Sequence, residues 1–447
     1  MSDGVERRIG LSGAVFTLVG YVIGASIFIL PGQLAADVGP GAFVSYLIAG
    51  VLAALGSVVA AQIGSALPVS GSIVVGASRV LSPLVGFVAL WALLLAVGVA
   101  ISLVCYGMVD YLSYFLPGLG RRGTALLLAV AFTFLNLTPV RVAVGLQAVM
   151  TVAFLAVLLA FGIGGVAAAD PANLDPMMPR GLGAVILAAV PAYFSYSGSF
   201  VIIELGGEIR DPARTLPRAL LIGFAIIAAS YALVTYAVPA VIPWETLAGV
   251  DAPIARAAEA FLPTWAGGVI AVAALLAGAT SINGMLLVHS RDILAMARAT
   301  VFPDALGVRG RGGVPVAAVL TLGTIGVLAV LVGGTIRQYA VLVVISVMLL
   351  QAIMAVTLLR LPTVLPAAFA GASFKLGRPA RWIFGLLTLV ASIGFSFLAV
   401  ADSLRYGIVY LGVLALGALY YLVRRRVVAG RGGDLDRVLR EGSATEG

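Results

Sequence analysis

Two short clusters of small and hydroxylated residues interrupt an otherwise apolar chain. One is Gly24-Ala25-Ser26, followed by Pro31-Gly32; the other is Ser195-Tyr196-Ser197-Gly198-Ser199, followed by Gly206-Gly207. Gly and Ser are weak helix formers, so a helix entering either cluster tends to stop and leave peptide N–H and C=O groups without intrahelical partners. Such groups survive inside a membrane only where they line a cavity or packed protein. The chemistry on offer is recognition, with amides for an anionic group and carbonyls for a cationic one. Catalysis finds less support. A single histidine, His289, and a single cysteine, Cys105, leave no Cys-based metal cluster or disulfide framework. No paired carboxylates or His–Ser set stand where a membrane enzyme would need them.

The elements that must position these clusters are membrane spans. Of the 447 residues 62% are hydrophobic and 10% charged, against roughly 25% charged in soluble domains. Charge-free stretches long enough to cross a bilayer, about 18 residues or more, occupy 9–36, 38–78, 80–109, 123–140, 142–169, 181–203, 219–244, 260–290, 312–336, 338–359, 382–401 and 406–423. The fold class is therefore an all-α integral membrane protein of twelve spans. Residues 1–8 are polar, and the first stretch is too long and too poor in cleavage-site character for a removable signal, so it reads as a retained helix. The chain reads as one membrane domain over 1–447 with a charged tail at 424–447, too short to bury a soluble core. If the amino terminus is cytoplasmic, alternate loops and helix ends collect all but six of the 27 Lys and Arg, among them Arg79, Arg210, Arg214, Arg218, Arg298, Lys375, Arg378 and Arg424. The other side keeps Arg121, Arg122, Arg180, Arg256, Arg337 and Arg405. This positive-inside bias puts both termini in the cytoplasm and the chain in the plasma (inner) membrane, and it explains the net charge of +8 by topology, with no nucleic acid involved.

The clusters fall in the first and sixth spans, so two five-helix units would enter the membrane in opposite directions. One unit covers about 9–169 and the other about 181–359, with trailing helices at about 382–423. Matched interruptions in two inverted halves point to a solute site at the midplane. Close helix packing through small residues is the alternative for either cluster taken alone.

At these residues the chain resembles the amino acid, polyamine and organocation (APC) superfamily of transporters. Gly24-Ala25-Ser26-Ile27-Phe28 with Pro31-Gly32 is similar to the superfamily's Gly-x-Gly-Ile-Phe signature, with Ser26 in place of the second glycine. Leu67-Pro68-Val69-Ser70-Gly71-Ser72 and Ser82-Pro83 resemble its loop between helices two and three. Glu208-Ile209-Arg210-Asp211-Pro212 through Arg214-Thr215-Leu216-Pro217-Arg218 is similar to its stretch after helix six, and Asn283 and 291–303 fit helix eight. The motifs cover roughly the first 300 residues, and the last four spans match only in number and hydropathy. The resemblance implies a LeuT-like fold of five plus five inverted helices, with helices one and six discontinuous and alternating access around a central site. It implies that Ile23, Gly24, Ala25 and Ser26 hold a substrate carboxylate, while Phe194, Ser195, Tyr196, Ser197 and Gly198 hold its ammonium group and close over it. Ordinary packing is the other reading for Phe194 and Tyr196.

Departures from the superfamily pattern narrow the function. Proton-coupled members often carry a lysine in helix five, where this chain has Phe154, and the chain's one lysine is Lys375 in a loop. Helix eight offers Ala277-x-x-Thr280-Ser281, one carbonyl and two hydroxyls on one face, a set of hard oxygens suited to sodium. It resembles the sodium site of sodium-coupled relatives, with the carbonyls of Gly20 and Ile23 as the remaining ligands. Back-bonding of those hydroxyls to the carbonyl a turn earlier is the competing reading. Phe200 stands where many relatives place a glutamate, Glu204 is either a gate or part of a solvated face, and Asp110 lies near the outer interface. With no carboxylate at midplane depth a dicationic substrate lacks a partner. The expected function is secondary active transport of a neutral amino acid, with Na+ favoured over H+ as coupling ion and no other cofactor. Proton symport, exchange, another organic amine as cargo, and a non-transporting nutrient sensor stay open, as does the oligomeric state. His289 reads either as a packed residue or as a proton-handling one.

Overall fold

The first helix, α1 (Leu11–Val22), stops at the first small-residue cluster, and α2 (Ser26–Val38) starts after the three residues Ile23, Gly24 and Ala25. The computed structural model describes residues 9–69, 71–137, 144–204, 206, 209–310, 314–402 and 404–441. Among them α3 (Ala42–Ala66) and the short α4 (Ser72–Val80) precede α5 (Pro83–Phe115). Proline at the first position of α5 costs no hydrogen bond, and the Ser82 hydroxyl accepts from the Val85 amide at 3.3 Å. Then come α6 (Arg121–Leu135), α7 (Val144–Ala167) and α8 (Gly181–Tyr193). At the second cluster α8 gives way to 3-10 turns at Phe194–Tyr196 and Val201–Glu204, joined by hydrogen-bonded turns over 197–200.

The remaining elements are α9 (Pro212–Val241), α10 (Pro253–Glu259), α11 (Trp265–Arg298), α12 (Val316–Val332), α13 (Ile336–Val364), α14 (Pro366–Gly371), α15 (Arg378–Asp402), α16 (Leu404–Gly430) and α17 (Leu435–Glu441). Nine helical runs among the described residues are long and apolar enough to cross a membrane, and Val316–Val332 is a shorter apolar helix. The first run, Leu11–Ala66, has 56 residues; at 1.5 Å per residue that is about 84 Å of helix, enough for more than one crossing of about 30 Å.

Lipid replaces water around this molecule. Leu127, Val390, Phe397 and Leu411 are more than 60% exposed on α6, α15 and α16, as apolar side chains are where a bilayer solvates them. The central helices α5 and α13, and the run containing both α8 and its break, bury most of their length. Around the two breaks, α3 and α9 pack on one side, and α5, α11 and α13 on the other.

The two ends of the bundle gather different charges. At one end the Arg210 amide donates to the Ile9 carbonyl at 2.8 Å, α4 packs against Val201–Glu204, and α17 packs on α4. The other end holds the Arg121–Asp110 pair at 3.0 Å and the Arg337–Asp37 pair at 3.3 Å, both around a shared depression with Arg180 and Asp251. The six arginines set apart by the loop-charge pattern include these three.

Candidate solute site between two broken helices

At the first interruption α1 ends and α2 begins, so the first amides of α2 have no preceding helical carbonyl. At the second, α8 tightens into 3-10 turns in which the Phe194 and Gly198 carbonyls accept from the Ser197 and Val201 amides at 3.0 Å. The structure brings both interruptions to one cavity. Gly24, Ala25 and Ser26 line it from the first, and Phe194, Ser195, Ser197 and Gly198 from the second. Ile23 is buried beside them but does not line the cavity.

Tyr231 of α9 ties the two breaks together. Its hydroxyl lies 2.8 Å from the Val22 carbonyl oxygen and 2.9 Å from that of Ser195, sharing its proton between them. The Ser26 hydroxyl lies 3.5 Å from the Tyr231 phenol oxygen and can donate to it. Tyr46 of α3 reaches the Ser195 hydroxyl at 3.3 Å. One buried phenol thus satisfies carbonyls that neither half-helix can satisfy.

Tyr196 is placed differently from the sequence expectation. Its ring does not line the cavity but packs edge-on against Tyr231, with centroids 4.9 Å apart, and lies close to Gly50 and Phe224. The ring fills space left open by the missing side chain of Gly50, where an added Cβ would sit 3.1 Å from the phenol oxygen. Packing, the alternative reading for this residue, describes its position. Phe194 keeps its place on the cavity wall.

The oxygen-rich face of α11 points at the first break. A Cβ on Gly24 would meet Ser281 Oγ at 1.7 Å and the Ala277 carbonyl oxygen at 3.6 Å, so only glycine fits against this helix. Ser281 Oγ is buried and has no hydrogen-bond partner among the described residues. Thr280 donates back to the Ala277 carbonyl at 2.9 Å, the habit of hydroxyls in membrane helices. Gly20 sits one turn before Gly24 on α1 and is buried, as are Ala277 and Thr280.

The rest of the wall escaped sequence reasoning. Leu93, Ala96, Val97, Ala100 and Val104 of α5, Met285 of α11, and Val343 and Val347 of α13 form an apolar surface opposite the breaks. An apolar residue within an apolar span carries no mark of the face it occupies, because such helices are hydrophobic all round. Tyr231 and Tyr46 did carry a signal, since a phenol deep in a span needs a partner. Among the described residues no Asp, Glu, Lys, Arg or His lines the cavity.

The charged groups considered from sequence lie outside it. Asp110 is buried near the end of α5 and makes two hydrogen bonds of 3.0 Å with the Arg121 guanidinium. Glu204 is not on a solvated face: it is 5% exposed, and its carboxylate accepts the Ile73 amide at 3.1 Å. Ser72 donates to carbonyls of the same region, including Ile203 at 3.1 Å, so the loop motif before α4 caps the Glu204 end of the second break. Phe154, at the position of the missing lysine, is buried in the core. Ser70, Gly207 and Glu208 of the sequence motifs lie outside the described residues.

A bundle of apolar helices, with two interrupted ones facing a neutral cavity, defines a multi-pass membrane protein built to hold a small solute. The chain belongs to the amino acid permease family of the APC superfamily: the family model "Amino acid permease" matches residues 13–366. Among its relatives is a branched-chain amino acid permease of Bacillus subtilis, 28% identical over 342 residues that cover 72% of this chain and 74% of the relative. An uncharacterised transporter of Mycobacterium tuberculosis is 32% identical over 326 residues, covering 72% and 73%. A methylthioribose transporter of Bacillus subtilis is 26% identical over 321 residues, covering 68% and 69%. The protein is thus an amino acid transporter with a small-molecule substrate and a lipid environment.

Proposed function

We propose that the protein is a secondary active transporter of neutral, apolar amino acids that works by alternating access around the cavity between α2 and the second break. The observation that carries this reading is one cavity edged by two interrupted helices and walled, on its far side, by aliphatic side chains without charge. The amino end of α2 is the electropositive end of a half-helix and suits a carboxylate; the carbonyl end of α8 suits an ammonium group. Gly24, Ala25 and Ser26 take the first role, and Phe194, Ser195, Ser197 and Gly198 the second. Small and branched residues on α5 and α13 leave room for an aliphatic side chain. A distal charge, as on arginine or glutamate, would meet no partner there. Relatives carry names for branched-chain amino acids, cationic amino acids and methylthioribose, so the wall of the cavity is the stronger guide to the cargo.

The architecture that fits is LeuT-like: twelve spans, inverted repeats at about 9–169 and 181–359, trailing helices at about 382–423, one domain over 1–447, and both termini on the cytoplasmic side of the plasma membrane. Sodium is the coupling ion of this proposal. Its support is the unpartnered Ser281 hydroxyl and the Ala277 carbonyl turned toward Gly24, with Gly20, Ile23 and Thr280 completing the oxygen set.

Purified protein in proteoliposomes tests both parts. Labelled leucine is expected to enter by counterflow, and arginine or glutamate to compete at least about tenfold less well than alanine, leucine or phenylalanine. Stronger competition by arginine or glutamate ends the neutral-substrate reading. An imposed sodium gradient is expected to drive accumulation that the Thr280→Ala, Ser281→Ala double variant loses; uptake undiminished without sodium ends the sodium assignment. Leucine movement only when leucine is also present inside identifies exchange rather than symport.

A further inference from the structure

Four cations gather where α13 hands over to α15, and no acidic residue accompanies them. Arg360 stands near the end of α13, Lys375 in the loop after α14, and Arg378 and Arg381 in the first turn of α15. Between Asp304 and Asp402 the chain has no Asp or Glu, and no carboxylate of the described residues pairs with any of the four. Other arginines at this end of the bundle do find carboxylates: Arg424 lies 3.8 Å from Asp304, and Arg425 lies 2.9 Å from Asp436. Two cations in a first turn also oppose the positive end of the helix dipole, so nothing within α15 favours their charge.

The surface that carries them is fixed in place. The Phe374 amide donates to the Ser65 hydroxyl at 3.0 Å and the Leu376 amide to Gln62 Oε1 at 2.8 Å, which pins the loop to α3 on both sides of the exposed Lys375. One turn beyond Arg381, Gly385 abuts Leu359, the neighbour of Arg360; an added Cβ there would stand 2.7 Å from a leucine methyl carbon. Arg360 and Arg381 therefore share the junction of α13 and α15. The Arg381 guanidinium lies over the Phe369 ring of α14, 5.3 Å from its centroid, and its Nε is buried with no hydrogen-bond partner among the described residues.

The same junction opens onto lipid. Trp382 and Ile383 are 46% and 55% exposed, and Leu386, Leu387 and Val390 carry the exposed apolar face along α15. A tryptophan exposed beside arginine marks the depth at which a helix passes the headgroup layer.

We propose that the junction of α13, α14 and α15 is a binding surface for anionic phospholipid headgroups. The leaflet concerned is the one facing this end of the bundle, the cytoplasmic leaflet in the orientation proposed above. Clusters of four or more Lys and Arg beside a span attract anionic lipid, and guanidinium groups present paired N–H donors to a phosphate. The headgroup meets Arg360, Lys375, Arg378 and Arg381, while an acyl chain lies along the face from Ile383 to Val390. Loop charge that only sets orientation needs neither a pinned loop nor a tryptophan and an apolar stripe beside it. The inference goes beyond the transport reading and depends on neither the cargo nor the coupling ion.

Native mass spectrometry of the full-length protein tests it. The protein is stripped of lipid in mild detergent and offered equal amounts of phosphatidylglycerol and phosphatidylcholine. Phosphatidylglycerol adducts are expected to exceed phosphatidylcholine adducts at least about threefold, and to fall to near parity when Arg360, Lys375, Arg378 and Arg381 are each changed to Gln. The pair Arg426→Gln and Arg431→Gln, which removes charge from the tail, is expected to keep the preference. Equal adducts on the native protein overturn the proposal, as does an equal loss in the tail variant, which would make net charge the cause. A preference abolished by inorganic phosphate, but not by chloride at the same ionic strength, makes free phosphate the ligand and overturns the lipid assignment. Should the fourfold variant fail to fold, Trp382 gives the location in protein whose other tryptophans are phenylalanine. Brominated phosphatidylglycerol is expected to quench it more than brominated phosphatidylcholine in mixed nanodiscs, and equal quenching overturns the site.

Discussion

Gly24 is the residue on which the first break turns, for a reason of space rather than backbone freedom: Ser281 Oγ occupies the volume a side chain would need. Gly24→Ala is expected to cost about 1–3 kcal/mol through overpacking and to cut uptake at least about tenfold. Adding Ser281→Gly, which removes the obstructing hydroxyl, is expected to restore thermal stability without restoring sodium dependence. Uptake assays and melting curves on the same preparations check both halves. Tyr231 carries a different load. Tyr231→Phe leaves the Val22 and Ser195 carbonyls without their donor, a loss of about 1–3 kcal/mol for buried groups. The expected outcome is a lower unfolding temperature and a larger KM, partly relieved when leucine is present, because substrate ties the same two segments together. A variant with native KM and stability would show that water takes over the phenol's role.

At the scale of elements, the loop helices hold the Glu204 end of the second break. Ile73 of α4 donates to Glu204, Ser72 donates to Ile203, and α17 packs on the outer side of α4 with Leu435 and Leu439 buried. Arg425 pairs with Asp436 at 2.9 Å, and Arg79 of α4 donates to the Arg440 carbonyl. The tail is thus a strap across a helix that itself caps the broken one. Removing residues 431–447 exposes about two leucine side chains and the face of α4 they cover, worth about 1.5–3 kcal/mol each when fully buried. The expected result is faster proteolysis between α3 and α5 and a lower melting temperature; an unchanged cleavage pattern would show that α4 needs no strap.

For the whole molecule, the arginines sort into two ends, and the pairs Arg121–Asp110 and Arg337–Asp37 close the one opposite the tail. The proposed orientation makes that end extracytoplasmic. Cys105 is buried, so the native thiol stays silent toward polar reagents, and single cysteines can be read against it. Asp434→Cys is expected to react with an impermeant maleimide only after the cells are opened, whereas Asp175→Cys, in the loop before α8, reacts in intact cells. The reverse labelling would invert the topology and move the paired arginines to the cytoplasm.

Span positions, helix interruptions and charge sides are local properties of the chain. Hydropathy over about 20 residues marks a crossing, the glycines and serines of 24–26 and 195–199 mark the breaks, and loop arginines carry the expectation of sides. All could be read one segment at a time, and the structure puts both breaks where Gly24 and Gly198 stand. What only tertiary structure decided is facing. In helices apolar on every side no periodicity tells Ala100, which meets the cavity, from Leu127, which meets lipid. Nor does spacing reveal that Tyr231 closes two breaks or that Tyr196 turns from the cavity. The contact between Tyr231 and Val22 joins residues 209 positions apart, and no local rule of hydropathy or helix propensity acts over that separation.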